Sequence, residues 1–306
     1  MKLKMDKKWI DYFSSIGYNK AYWIASGMEG SVYMLIPNKR IAKVWAGRTA
    51  KELKKLKIIF NSIESSTNAI TLPYIQEIKI VDGTLISLET YVSGKPLEDY
   101  IDADAPTANS KAVEATIKAL DFLKNVSTSE ELKSLGVLNE ETGLWEGCAD
   151  WKTAIKGIIN RRLIKYRNLL EKDVADIPAV LDHINTFLNT RKPENMGIIH
   201  GDLCGCNLMV NNNLTPTGIL DFGFLTTYGD LAFDVAISAA IFNMYGKHSN
   251  DIEEAVTVAF CKHFKYDRTV IDSYKMIYAL LTSNAYSETG EDGHYKWCVN
   301  ILNRGL

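Results

Sequence analysis

The sequence predicts an α+β fold of two lobes, the first built on antiparallel strands and the second mostly helical. The length of 306 residues is sufficient for two hydrophobic cores. Up to about residue 92, short apolar runs alternate with turns, and Asp82-Gly83 is a strong hairpin signal between two of them. Beyond Ser93-Gly94-Lys95-Pro96 the apolar residues recur at helical spacing. The predicted lobes are therefore residues 1–92 and 93–306.

Within the first lobe we predict a five-stranded antiparallel sheet with one inserted helix. The inserted helix covers 49–63, where Leu53, Leu56 and Phe60 recur at helical spacing, and a short amphipathic helix covers 8–16. The candidate strands are 21–25, 31–36, 40–45, 72–81 and 84–92. In the second lobe the predicted helices are 112–126, 151–170, 174–188 and several from 231 onward, with small strands between 197 and 222.

Composition and charge describe an ordinary folded protein rather than a nucleic-acid binder. Hydrophobic residues make up 46% and charged residues 24% of the chain, as in typical globular domains. With a net charge of −2, the chain lacks the excess of basic residues that binding to a phosphate backbone requires. Residues 1–90 hold 14 Lys/Arg and 8 Asp/Glu, whereas the rest holds 21 and 29. This asymmetry favours a first lobe that binds phosphates and a second that accepts a cationic small molecule, although solvated surface charge gives the same totals.

Neither a membrane segment nor an export signal is predicted. No apolar stretch reaches the ~20 residues that cross a bilayer, and no apolar leader follows Met1. The five cysteines are an odd set without framework spacing, so the predicted location is the cytoplasm and no membrane partner is expected. Cys204 and Cys206 are expected to be structural or incidental thiols, because a single intervening residue makes a poor metal chelate.

The sharpest chemical signal is a pair of loops that follow apolar runs. Asp202 and Asn207 lie on one tight loop, and Asp221 follows the next apolar run. Phosphoryl transfer needs a base that orients the acceptor hydroxyl and hard oxygen ligands that hold magnesium on the phosphates. We therefore predict that Asp202 is the base, that Asn207 and Asp221 bind Mg²⁺, and that His200 packs structurally and shapes the loop. Turn chemistry alone is the alternative explanation.

These segments resemble a known family. His200-Gly201-Asp202 followed by Asn207 matches H-G-D-x-x-x-x-N, and Asp221-Phe222-Gly223 matches the D-x-G that comes after it. The stretch from Gly229 to Ala236 resembles G-D-x-x-[YF]-D-[LV]-A. The chain thus resembles the aminoglycoside phosphotransferases, with a faint similarity to hygromycin-type enzymes in its helical parts. The resemblance implies a bilobed protein-kinase-like fold, Mg²⁺, ATP or GTP as co-substrate, and a structural role for Asp234.

The first lobe carries the matching nucleotide-binding positions. Gly27, Gly30 and Ser31 lie between two predicted strands, where glycines allow backbone amides to approach phosphates; an ordinary hairpin turn is the alternative. Lys43 alternates with apolar neighbours on the third strand, where kinases hold their phosphate-binding lysine. Glu52, on the inserted helix, is the predicted partner of Lys43, and a solvated glutamate among lysines is the alternative.

By resemblance, the segment after the fifth strand is the hinge between the lobes. Backbone groups of Glu89 and Tyr91 are expected to meet the purine edge. Substrate contacts are assigned to acidic residues of the second lobe, namely Glu288, Glu291 and Asp292, which are equally compatible with an exposed acidic loop. Asp230 is expected either to cap the following helix or to contact the substrate.

The resemblance implies transfer of a γ-phosphoryl group to a hydroxyl of an aminoglycoside-type antibiotic. A metabolic kinase acting on choline, homoserine, methylthioribose or a fructosamine-like compound is the alternative within the fold. A non-catalytic nucleotide-binding scaffold is the alternative outside catalysis, and the presence of Asp202, Asn207 and Asp221 argues against it. A regulated protein kinase is disfavoured because Gly201 replaces the usual arginine, and too few residues separate Asp221 from Asp230 for an activation segment.

Overall fold

The computed structural model describes residues 6–27, 30–63, 70–126 and 130–304. The first lobe contains the predicted five-stranded antiparallel sheet. Its strands lie in the order β1-β2-β3-β5-β4. Its elements are α1 (Lys7–Ser15), β1 (Lys20–Gly27), β2 (Gly30–Ile36), β3 (Arg40–Trp45), α2 (Ala50–Ser62), β4 (Ile75–Val81) and β5 (Thr84–Thr90). The hairpin between β4 and β5 turns at Asp82 and Gly83, both with positive φ.

The second lobe is mostly helical, with short strands around the predicted catalytic loop. Its first elements are β6 (Lys95–Pro96), a 3₁₀ turn at Leu97–Tyr100, α3 (Ser110–Asn125), a 3₁₀ turn at Glu130–Ser134, α4 (Trp151–Asp173) and α5 (Ile177–Thr190). They are followed by β7 (Met196–Ile199), β8 (Leu208–Val210), β9 (Pro216–Ile219), β10 (Thr227–Asp230), α6 (Leu231–Ile241), α7 (Ser249–Phe264), α8 (Arg268–Thr282) and α9 (Gly293–Arg304). The predicted α+β class is confirmed. The boundary at residue 92 stays a prediction.

Side-chain caps fix the starts of the long helices. Asn109 caps α3, Asp150 caps α4 and Asp176 caps α5, each accepting a hydrogen bond from a backbone amide of the first turn. Helix α6 is buried along its whole length and forms the centre of the second lobe. Within the described ranges, no helix has the length and the apolar run needed to span a membrane.

The buried hydrophobic residues form two clusters. The smaller one packs Trp9 and Phe13 of α1 against one face of the sheet, where Tyr33 and Leu35 are fully buried. The larger one joins α2 to the helices of the second lobe. The backbone of Thr71 also pairs with β9, because its amide donates to the Thr217 carbonyl over 2.9 Å. These contacts set the sheet over the loops that leave β7 and β9.

Candidate active site

The loop after β7 is anchored by one buried carboxylate on α6. The amides of His200 and Gly201 donate to the two carboxylate oxygens of Asp234, each over 2.9 Å. Burial raises the pKa of Asp234 to about 6, partly offset by these two hydrogen bonds. Asp234 therefore fixes the path of the backbone immediately before Asp202.

His200 links the two predicted catalytic loops. Its Nε2 donates to the Leu220 carbonyl over 2.8 Å, and its Nδ1 accepts from the Asp202 amide over 3.2 Å. Full burial lowers the pKa of His200 to about 4, so the ring is neutral at pH 7 and both contacts are available in one tautomer. The imidazole thus holds Leu220, just after β9, next to Asp202 in the loop that follows β7.

Three backbone positions in these loops have positive φ, namely Gly201, Asp221 and Gly223. Gly201 has φ +78°, and a Cβ there would overlap Leu225, so only glycine fits. Asp221 has φ +61°, a left-handed conformation that is uncommon for a residue other than glycine. Such a conformation is maintained where surrounding contacts demand it, and it frequently marks functional sites.

Asn207 lies directly against Asp202. Its Nδ2 donates to the Asp202 carbonyl over 2.8 Å and to Asp202 Oδ2 over 3.2 Å. Between these two residues in the chain, Cys204 and Cys206 are joined as a disulfide with their Cα atoms 5.5 Å apart, whereas the sequence predicted thiols. Because Nδ2 is used within the loop, Asn207 Oδ1 remains as an oxygen donor for a cation.

Lys43 on β3 reaches across the cleft to Asp221. Its Nζ lies 3.2 Å from Asp221 Oδ1 and 4.0 Å from Glu89 Oε2. The charge of Lys43 lowers the pKa of Asp221, so this carboxyl is ionised at neutral pH. Burial instead raises the pKa of Glu89, which accepts a hydrogen bond from Ser87. The lysine is therefore positioned between two carboxylates at the floor of the cleft.

These groups line one cavity of about 180 Å³ between the lobes. Lys43, Asp202 and Asp221 face it together with Gly27, Gly30 and Ser31. A Cβ at Gly30 would overlap the Val44 carbonyl, so glycine allows β2 to lie close to β3. Residues 28 and 29 of the predicted phosphate-binding loop lie outside the described residues.

The donor set fits a hard divalent cation. Asp221 Oδ2 and Asn207 Oδ1 are oxygen donors near Asp202, the predicted base. The Asp221 side chain is 51% exposed to the cleft. Carboxylate and amide oxygens suit Mg²⁺, which prefers few protein ligands and completes its shell with phosphate oxygens and water.

Comparison with known proteins decides the family. A family model described as the phosphotransferase enzyme family matches residues 74–268, more than half of the chain. The chain belongs to this family. A comparison with curated protein sequences finds no significant match.

Solved structures of aminoglycoside phosphotransferases share the fold of this phosphotransferase. A thermostable mutant of APH(4)-Ia in complex with ADP and hygromycin B is 13% identical, with a TM-score of 0.73 over 99% of this chain and 98% of that one. APH(3'')-Id from Streptomyces rimosus, in complex with ADP and streptomycin, is 17% identical, with a TM-score of 0.56 over 90% and 98%. A putative aminoglycoside phosphotransferase from Ralstonia eutropha is 13% identical, with a TM-score of 0.60 over 99% and 97%. The sequence-based resemblance is confirmed.

Two predicted nucleotide-site residues of the phosphotransferase are placed differently from the prediction. Glu52 forms a capping box with Thr49 at the start of α2, so its carboxylate is used there and not on Lys43. Glu89 lies inside the sheet, in register with Ile41 and Ile75, and presents its carboxylate to Lys43. The backbone role at the hinge remains a prediction for Tyr91, which follows β5.

Asp230 does not face a substrate. Its side chain is fully buried, it pairs with Arg191 over 2.8 Å, and it accepts from the Tyr274 hydroxyl over 2.7 Å. It also caps α6 by accepting from the Ala232 amide. The capping alternative of the sequence analysis therefore describes Asp230, and the substrate contact is wrong.

The acidic loop before α9 is only partly available for a ligand. Glu288 is paired with Lys165 over 2.9 Å. Asp292 accepts from the Tyr295 amide at the start of α9, with its Oδ2 buried. Glu291 is exposed and lines none of the cavities described for this chain. Their substrate roles remain predictions.

Sequence reasoning missed two features of the site. Arg48 follows β3, lies over the Trp45 ring at 5.7 Å and packs so closely on Gly223 that a Cβ there would overlap its guanidinium. A cavity of about 650 Å³ adjoins Asp202 on the side of the second lobe, lined in part by Tyr278, Tyr286 and His294. Neither has a local sequence signal, because each depends on residues far apart in the chain.

Proposed function

We propose that this small-molecule phosphotransferase transfers the γ-phosphoryl group of ATP or GTP to a hydroxyl of an aminoglycoside-type compound. The observation that carries the proposal is that Asp202, Asp221 and Lys43 line one cavity, with Asn207 hydrogen-bonded to Asp202 beside it. A base, two oxygen ligands for a cation and a phosphate-binding cation are the groups that phosphoryl transfer needs. A cytoplasmic location belongs to the same proposal.

Each side chain has one task in the transfer. Asp202 orients the acceptor hydroxyl and takes its proton as the new O–P bond forms and the bond to the leaving nucleoside diphosphate breaks. Lys43 binds the phosphates and is itself held by Asp221 and Glu89. Asn207 and Asp221 would hold Mg²⁺, which would neutralise the negative charge on the phosphate oxygens.

The nucleotide is assigned to the cleft beneath the sheet. Gly27, Gly30 and Ser31 bring backbone amides to the cavity that Lys43 lines. APH(4)-Ia was solved with ADP and with AMP-PNP, and APH(3'')-Id with ADP, which supports a nucleotide as co-substrate here.

The acceptor is assigned to the 650 Å³ cavity beside Asp202. Tyr278 and Tyr286 give it flat walls on which the apolar faces of sugar rings pack, and Glu98 lines it with a second carboxylate. Structures of APH(4)-Ia hold hygromycin B, and one of APH(3'')-Id holds streptomycin. Hydroxyl-rich amino sugars are therefore the first acceptors to test.

The test is a transfer assay with ATP and GTP against aminoglycosides, hygromycin B, and choline or homoserine. Asp202→Ala should bind nucleotide as tightly as the wild type, while the turnover number falls by about 10²–10⁴-fold because the hydroxyl loses its base. Asp251→Ala, an exposed position on α7, is the matched control and should be fully active. Full activity of Asp202→Ala would refute the proposed role of this carboxylate. Turnover of choline alone would replace the aminoglycoside by a metabolic acceptor.

A further inference from the structure

A second large cavity of the helical lobe adjoins the catalytic cleft. It measures about 570 Å³ and shares Phe224 and Tyr286 with the nucleotide cavity. The rings of these two residues stack at 6.3 Å with an interplanar angle of 3°. Tyr286 also lines the proposed acceptor cavity. Tyr286 therefore borders both the proposed acceptor cavity and this second space.

Arg162 of α4 is the unusual residue in this cavity. Its side chain lines the cavity and is only 9% exposed. Its Nε and Nη2 have no hydrogen-bond partner, and no carboxylate lies within ion-pair distance among the residues that the structure describes. The guanidinium lies 4.6 Å from the centre of the Tyr166 ring. A buried arginine without a counter-ion carries a desolvation cost that a bound anion would offset.

The other cations of the cavity already have partners. Arg161 Nε lies 2.7 Å from Glu140, and Lys165 lies 2.9 Å from Glu288. Arg161 retains an unbonded Nη2. The side-chain nitrogens of this cavity that lack a hydrogen-bond partner are thus Arg161 Nη2 and the Nε and Nη2 of Arg162, while Glu141 is a further carboxylate of the lining.

The nitrogens left without partners have a specific geometry. Nε and Nη2 of an arginine form one edge of the planar group, with two parallel N–H bonds spaced to match two oxygens of a carboxylate or phosphate. Both nitrogens of Arg162 are covered in this structure. Bonding of these nitrogens to an anion therefore requires that the long side chain turn toward the cavity that it already lines.

We propose that this cavity binds an anionic group of the acceptor, a carboxylate or a phosphate, through Arg162 with help from Arg161. The inference deepens the proposed function, on which it rests, since it assigns the acceptor two features. One is the hydroxyl at Asp202, and the other is an acidic group beyond Tyr286. Hydroxyl compounds that carry an acidic group are then better acceptors than the polycationic aminoglycosides, so the inference keeps the proposed phosphoryl transfer and changes the class of its acceptor.

The test uses small anions and does not depend on turnover. The thermal midpoint is measured with saturating Mg·AMP-PNP, so that the nucleotide cleft is filled, and with inorganic phosphate, malonate or chloride at equal ionic strength. At ten times its dissociation constant a specifically bound anion should raise the midpoint by about 2–4 °C relative to chloride. A rise with phosphate alone assigns a phosphoryl group, and a rise with malonate alone assigns a carboxylate.

Variants locate the effect. Arg162→Met keeps the bulk of the side chain without its charge and should lose the anion-dependent rise. Arg162→Lys should retain only part of it, because an ammonium cannot bond in a bidentate manner. Arg167→Met is the matched control on the same helix, since Arg167 is exposed and paired with Glu171; it should respond as the wild type.

The stability of Arg162→Met without added anion separates a binding role from a structural one. A binding residue with an uncompensated buried charge should leave the midpoint unchanged or raised on replacement, whereas a structural residue should lower it. The proposal is overturned by an absent rise in the wild type, by an equal rise in Arg162→Met, or by a fall in the midpoint of that variant without anion. Since no transfer is measured, these failures leave the phosphotransferase proposal intact. The anion-dependent rise of the thermal midpoint can be observed even if the protein transfers no phosphoryl group.

Discussion

The catalytic loops of the second lobe and the surroundings of Lys43 form one site but are built in opposite ways. In the loops, Asn207 contacts Asp202, five residues away, and the buried acid that anchors the backbone, Asp234, lies 34 residues beyond His200. Lys43 instead meets Asp221, 178 residues away, and Glu89 of a neighbouring strand. One half is specified locally and the other by the packing of distant elements.

This difference shows where a short motif constrains geometry. A tight loop with fixed spacing leaves Asp202 and Asn207 few relative positions, so the motif almost determines their contact. A lysine on a strand can pair with any carboxylate that the fold places opposite it. Strand register pairs Lys43 with Ser87 of β5, which places Glu89, two residues along that strand, on the same face of the sheet.

The largest loss of activity is expected at the residue that both halves share. Asp221→Ala removes an oxygen ligand and the partner of Lys43 together. The turnover number should fall by at least about 10³-fold, because charge stabilisation on the transferring group is lost. Steady-state kinetics at several magnesium concentrations measures this.

Asp121→Ala is the control, because Asp121 is a partly exposed carboxylate paired with His263 far along the chain. It should retain wild-type turnover. A turnover number within tenfold of the wild type for Asp221→Ala would show that the two halves of the site do not meet at this carboxylate.

The sequence predicts the locally specified half well and the other half poorly. The strands, the inserted helix and the contact of Asp202 with Asn207 follow from periodicity and loop spacing. Glu52 is misassigned because Thr49, three residues before it, captures its carboxylate in a capping box, a local contact that outcompetes the distant lysine. The cavity around Arg162 has no sequence signal, since it is formed by four segments that only tertiary packing brings together.

A pH effect of intermediate size is expected from the buried groups of the catalytic loop. The pKa of Asp234 is about 6 in the folded chain and about 4 in the unfolded one, so folding binds a proton between these values and stability falls as pH rises. The pKa of His200 is about 4 when folded and about 6.5 when unfolded, so stability falls as pH decreases through that window. The two groups act in opposite directions.

Urea denaturation of wild type and Asp234→Asn isolates the first contribution. The free energy of unfolding of the wild type, relative to the variant, should fall by about 2–3 kcal/mol between pH 4 and pH 7. His200→Asn should give a difference of the opposite slope. Parallel pH profiles of wild type and both variants would mean that neither group titrates abnormally in the native chain.

The smallest effect separates the two candidate partners of Lys43. Glu89→Gln removes the buried charge 4.0 Å from Lys43 Nζ, so the lysine is less well held and the nucleotide KM should rise by about five- to tenfold, or about 1 kcal/mol. Glu52→Gln keeps KM and weakens only the cap of α2, by about 0.5–1 kcal/mol of unfolding free energy. Nucleotide saturation curves and urea denaturation of both variants distinguish the two outcomes. A KM that rises in Glu52→Gln and not in Glu89→Gln would show that Glu52, on α2, is the partner of Lys43. The first lobe would then be as predictable from sequence as the catalytic loop.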